Sequence, residues 1–191
     1  MKILVAGDSF ASAELAGEYG WVAQLGNVHQ VTNISAPGIG EYKIYQRLNA
    51  VDLNQYDAII VSHTSPNRVH CEENLLYPEG HIYRTSDLIF ADVESKRKTN
   101  KFAESMFEYF GFVFDKDYYR FIHSSSCQAI DQLTQDKKTI HITHFNWADL
   151  YVFPSMINFY QVWLSNQGTC NHYNQHGNEI IFRTMMEQIN V

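Results

Sequence analysis

Four positions carry side chains or backbone groups that acyl transfer would use. The apolar run Lys2-Ile3-Leu4-Val5-Ala6 ends abruptly in Gly7-Asp8-Ser9-Phe10, and Ser9 supplies a hydroxyl. Gly38, in Ala36-Pro37-Gly38, supplies a backbone amide with no side chain in front of it, and Asn67 a side-chain amide. Near the other end, His172 leads Asn171-His172-Tyr173-Asn174-Gln175-His176-Gly177-Asn178. A serine hydroxyl becomes a nucleophile when a base lies within hydrogen-bond reach, and the oxyanion that then develops needs preorganised donors. Ser9 and His172 have the chemistry of nucleophile and base; Ser9 and Gly38 through their amides, and Asn67 through its side chain, have that of the donors.

Positioning such groups requires strand ends. Residues 2–6 read as a buried strand feeding a tight turn, which is where open α/β sheets place their reacting groups. Residues 11–25 carry apolar Leu15, Tyr19, Val22 and Leu25 at helical spacing and stop at Gly26. A second strand is expected over 29–35, a turn at Pro37 to Gly40, a helix over 41–51 and a third strand over 57–61. That alternation implies right-handed parallel crossovers and a doubly wound, three-layer α/β/α sheet of the flavodoxin-like kind with about five strands. From 66 to about 100 the periodicity degrades into an insertion of short elements. Helices are expected over 101–114, 117–133 and 175–189 and a strand over 139–143, while the aromatic stretch 146–163 resists assignment.

Beyond these spacings, the chain resembles the SGNH hydrolases, also called GDSL-type esterases and lipases. Gly7-Asp8-Ser9-Phe10 matches their first block, and Asn33-Ile34-Ser35-Ala36-Pro37-Gly38 is similar to the second, with Ser35 in place of its first glycine. Thr64-Ser65-Pro66-Asn67-Arg68 is loosely similar to the third, where Asn67 or Ser65 takes the donor position, and His172 with Gly177-Asn178 fits the last. The resemblance spans residues 1–191 as one domain. It implies a serine esterase acting on a small acyl ester, acetyl among them and a carbohydrate among the possible carriers, through a Ser9 acyl-enzyme with His172 as general base. No cofactor or metal is implied. The family's acid, three residues before the histidine, falls on Thr169. His172 is then oriented by a backbone carbonyl or by a carboxylate from elsewhere, with Asp149 a candidate, or the chain is a binding module that kept the fold without catalysis.

Composition narrows the partners. A net charge of −7 with 14 Lys and Arg in 191 residues argues against nucleic acid. Cys71, Cys127 and Cys170 lack a paired spacing, and no stretch is long and apolar enough for a membrane span, so a reducing, cytoplasmic setting is expected. No signal peptide is expected from the first residues, where Asp8 interrupts the apolar run after only a few residues. The expected partner is a small-molecule or carbohydrate ester, with no membrane and an undetermined oligomeric state. Of the nine histidines, His141 and His144 fall on opposite faces of a strand, and no H-E-x-x-H order occurs, so a metal site is not expected. Arg68 and Arg84 are expected to be exposed and solvated. Trp147, Tyr151, Phe153 and Trp163 suit either a sugar platform or a core.

Overall fold

A computed structural model describes residues 1–146, 153 and 155–190. The sheet has five parallel strands, β1 (Lys2–Gly7), β2 (Gln30–Asn33), β3 (Ala58–His63), β4 (Thr139–Thr143) and β5 (Ile157–Asn158). Their order is β2-β1-β3-β4-β5, with β1 and β3 central. Register runs Ile3↔Ala58 to Gly7↔Ser62 between the central strands and Ile59↔Thr139 to His63↔Thr143 beyond them.

Period-two alternation divides the strands between two helical layers. Ile3, Val5, Ile60 and Ile142 pack with Trp21, Leu25, Ile181 and Met185. These last four belong to α2 (Trp21–Gly26) and α8 (Gln175–Asn190). Leu4, Ala6, Ile59 and Val61 pack instead on Ile44, Leu48 and Ile130. Those residues come from α3 (Glu41–Asn49) and α6 (Lys116–Thr134). Burying each Leu or Ile contributes about 1.5–3 kcal/mol, so the three-layer arrangement expected from the sequence is fixed by the apolar strands.

Local chemistry shifts several boundaries. The expected single helix over 11–25 is broken into α1 (Ala13–Ala16), a 3-10 turn (Gly17–Tyr19) and α2. Gly17 adopts φ +57° and Gly20 is extended at the start of α2, so two glycines redirect the chain where side-chain periodicity alone read as continuous. In the 66–100 insertion, Val69 and Leu88 form an antiparallel bridge, and α4 (Phe90–Lys96) follows. Val69, Leu76, Leu88 and Val93 share a satellite core with Ala103 of α5 (Lys101–Phe112). The buried Asp87 carboxylate ties this insertion to the main body, accepting from the Gly40 N–H at 2.6 Å and pairing with Lys43 at 3.1 Å. Within the aromatic stretch, β5 and α7 (Tyr160–Ser165) are formed. Among the described residues, no helix is long and apolar enough to cross a membrane.

Gly7 shows how tightly the central strands approach. A Cβ built there would lie 2.5 Å from the Ser62 Cβ and 2.8 Å from the Ser62 carbonyl oxygen. Gly7→Ala therefore forces β1 and β3 apart, and a destabilisation of about 1–3 kcal/mol follows. Thermal unfolding followed by circular dichroism is expected to show a midpoint lowered by about 2–12 °C.

Candidate active site

The carboxyl ends of the central strands are polar where their middles are apolar. After β1, the Asp8 side chain accepts from the Phe10 N–H at 3.1 Å, and the Ala11 N–H donates to the Asp8 carbonyl at 3.1 Å, so Ser9 sits at the crest of a closed turn. Asn33 clamps this turn from β2, its Nδ2 donating to the Ala11 carbonyl at 2.8 Å while its Oδ1 accepts from the Ser35 N–H. From β3, the Thr64 hydroxyl donates to Asp8 Oδ2 at 2.9 Å and Arg68 Nη2 to the same oxygen at 3.0 Å. The Asp8 carboxyl is fully buried, and this burial raises its pKa against the opposing pull of Arg68.

The last block is positioned with equal specificity. Asn171 adopts φ +60°, a left-handed conformation that asparagine tolerates, and turns the chain into His172. The Asn171 carbonyl accepts from Trp163 Nε1 at 2.7 Å, and the His172 carbonyl accepts from the Gly168 N–H at 2.6 Å. Behind it, Gly177 lies so close to Tyr173 that a Cβ would meet its ring at 2.7 Å, and Asn178 Oδ1 accepts from the Trp21 N–H at 3.1 Å. The tail of the block thus docks α8 on α2. Phe10, next to Ser9, packs on both His144 and His172, with ring centroids 4.6 and 5.0 Å apart.

Ser9, Gly38, His172 and Arg68 line one cavity of about 560 Å³. Gly38 reaches it with φ +74°, packed so that a Cβ would lie 2.7 Å from the Ser86 Cβ. Among the described residues, neither the Ser9 nor the Gly38 N–H donates a hydrogen bond. Tyr160 and Trp163, stacked at 5.8 Å, with Tyr77 and Tyr83 at 5.3 Å, form aromatic walls of the same cavity. Asn67 is exposed and lies outside this lining, its N–H turned to the Ser65 hydroxyl, and Ser65 lines a different, smaller cavity. Arg68 enters instead. Contrary to the expectation of a solvated side chain, it is only 8% exposed, and its Nε and Nη1 have no hydrogen-bond partner among the described residues.

Neither His172 nitrogen makes a hydrogen bond among the described residues, and Thr169 is exposed. Asp149, with Trp147 and Tyr151, lies outside the described residues. The buried carboxylate of Asp8 interacts electrostatically with His172. A second histidine, His144, is locked in place: its Nε2 pairs with the Ser62 hydroxyl at 3.0 Å and its Nδ1 with the Tyr173 hydroxyl at 2.7 Å.

No protein-family model matches this chain, and no curated protein matches it by sequence. A solved structure, that of a catalytic mutant of the acetylxylan esterase Axe2 from Geobacillus stearothermophilus, aligns over 100% of this chain and 94% of that one, with a TM-score of 0.42 and 14% identity. At that level of similarity, function has to be read from the site itself.

His144 makes a pH signature of this packing. Burial first, and the neighbouring His172 second, push its pKa from 6.5 down to about 3. Between those values the unfolded chain takes up a proton that the folded one refuses, so stability is level above pH 6.5 and falls as the pH drops through that window. The slope from this group reaches about 1.4 kcal/mol per pH unit. Urea unfolding between about pH 7 and 5 is expected to show that slope reduced by about one proton in His144→Asn. The opposing contribution of Asp8, whose pKa is raised, is common to both proteins and cancels in the difference.

Proposed function

We propose that this protein is a serine ester hydrolase of the SGNH type, acting on a small acyl ester. One observation carries the reading: Ser9 and His172, from opposite ends of the chain, line the same cavity as Gly38, and the Ser9 and Gly38 N–H groups have no acceptor among the described residues. In this mechanism His172 takes the Ser9 proton as the hydroxyl attacks the ester carbonyl. The two amides hold the oxyanion; the alcohol leaves with the proton from His172, and water releases the acyl group by the same cycle. A cavity of about 560 Å³ with Tyr77, Tyr83, Tyr160 and Trp163 among its aromatic walls suits an acylated sugar ring.

The third donor in this reading is Arg68, in place of the Asn67 that the third block suggests. Its guanidinium is anchored by Asp8, the residue before the nucleophile, and its Nε and Nη1 have no hydrogen-bond partner among the described residues. A charged donor stabilises a developing oxyanion more strongly than a neutral amide. Asp8 also balances the imidazolium that forms on His172, the task that Thr169 cannot perform.

The competing reading, a binding module without catalysis, draws on that Thr169 and on the lack of a partner for His172 among the described residues. Kinetics with a neutral short-chain aryl ester separate the two. Ser9→Ala is expected to abolish turnover with the fold intact, and activity equal to wild type would refute the nucleophile. Arg68→Lys is expected to lower kcat by about 10² with KM little changed, the loss typical of one oxyanion donor. Asn67→Ala is expected to stay within about twofold, because surface substitutions away from a site are nearly neutral.

A further inference from the structure

Behind the Ser9 turn, on the α3 and α6 face of the sheet, lies a second set of reactive side chains that ester hydrolysis does not use. Glu41 opens α3, His63 ends β3, and His123 and Cys127 stand four residues apart on α6. All four are buried, Glu41 with a side chain only 2% exposed. His63 Nδ1 faces Glu41 Oε1 at 2.7 Å and Cys127 Sγ at 3.8 Å. The ligand atoms of Glu41, His63 and Cys127 lie within 4.8 Å of one another. His123 closes the remaining side, its Nε2 3.9 Å from Cys127 Sγ, 3.5 Å from Glu41 Oε2 and 2.9 Å from the Thr64 carbonyl oxygen that it hydrogen-bonds.

We propose that Glu41, His63 and Cys127 bind a divalent cation of the zinc class, with His123 facing its fourth coordination position.

The chemistry of the donors selects the ion. A thiolate and an imidazole favour a borderline-soft cation, and one carboxylate with one thiolate neutralises a charge of two inside a buried site. Neither Ca²⁺ nor Mg²⁺ accepts sulfur in preference to oxygen. The outer shell is in place as well: His63 Nε2 pairs with His141 Nδ1 at 2.9 Å, fixing the ring as ligating histidines require. Phe153 covers the pair, its ring 4.1 Å from that of His141. A cavity of about 40 Å³ whose lining includes Glu41 and His123 adjoins the cluster.

A hydrogen bond joins Glu41 to His63 at 2.7 Å, and a cation with bonds of about 2.0–2.1 Å spreads such a pair to about 3.3 Å. As His63 Nδ1 exchanges its proton for the ion, the His141 Nδ1 proton crosses the contact to His63 Nε2 and His141 takes one up at Nε2, so the two rings keep two protons between them. The thiol proton of Cys127 is displaced as the thiolate ligates, and it is the one released. Binding therefore liberates about one proton per chain. The ion would join the start of α3, the end of β3 and the middle of α6, next to the Thr64 N–H that Glu41 Oε2 accepts at 3.1 Å.

Co²⁺ added to the purified, chelator-dialysed full chain is the probe. One ion per chain is expected, with a thiolate-to-metal charge-transfer band in the near ultraviolet and the visible bands of four-coordinate Co²⁺. Cys127→Ser is expected to lose the charge-transfer band, whereas Cys71→Ser retains it. Zn²⁺ at about 100 times its Kd is expected to raise the wild-type unfolding midpoint by about 5–10 °C. Calorimetry of Zn²⁺ binding to wild type in two buffers of different ionisation heat is expected to give about one proton released, a measurement that needs no variant to fold. Absence of the charge-transfer band, its persistence in Cys127→Ser, or binding without proton release would overturn the site. None of these readouts depends on esterase activity.

Discussion

A buried carboxylate in the turn after the first strand is the constraint on which the rest of this architecture depends. Removing a charge from water costs several kcal/mol unless its oxygens are hydrogen-bonded and its charge is opposed. Asp8 satisfies that condition only if the Phe10 N–H, the Thr64 hydroxyl and the Arg68 guanidinium converge on it. Those three partners come from the β1 turn and from the segment after β3, so the ends of the two central strands are fixed together. Ser9 is aimed by its neighbour's need for partners. The same requirement draws Arg68 inside, where it lines the cavity with Ser9, Gly38 and His172.

The pattern repeats one layer deeper. Glu41 is the second buried carboxylate at this edge of the sheet, and it is met by His63, by the Thr64 N–H and, at 3.5 Å, by His123. Its partners hold its pKa low despite burial, with His63 the foremost of them. Thr64 joins both systems, hydroxyl to Asp8 and backbone to Glu41 and His123. A polar seam thus runs through the carboxyl end of the sheet, while Ile3 to Val5 and Ile59 to Val61 keep its middle apolar. Apolar strand interiors provide the stability that such a seam consumes.

How much of this was legible in the sequence follows from the range of each interaction. The apolar runs of β1, β3 and β4 announce buried strands because each residue's neighbours in sequence are also its neighbours in the strand. Ser9 and His172 stand out because their turns are local, and the Gly177-Asn178 tail of His172 has a structural reason in the docking of α8. The break at Gly17 was lost because the apolar spacing on either side remained helical. Asn67 and Arg68 are adjacent, and which of two neighbouring side chains turns inward depends on Asp8, which lies 60 residues before Arg68. The Glu41, His63 and Cys127 cluster was invisible for the same reason, its members being separated by 22 and 64 residues with no recurring spacing. His141 on β4 and His144 just past its end turn to different neighbours, one to His63 and the other to Tyr173, and neither contact is visible in their spacing.

The central claim is that the Ser9 hydroxyl is activated within this cavity. Reaction with a fluorophosphonate, followed by intact mass and peptide mapping, tests it without a choice of natural substrate, because only an activated hydroxyl attacks the phosphorus. A single adduct on the peptide containing Ser9 is the predicted result. An unlabelled protein across the pH range, or an adduct on another residue with Ser9 untouched, would contradict it.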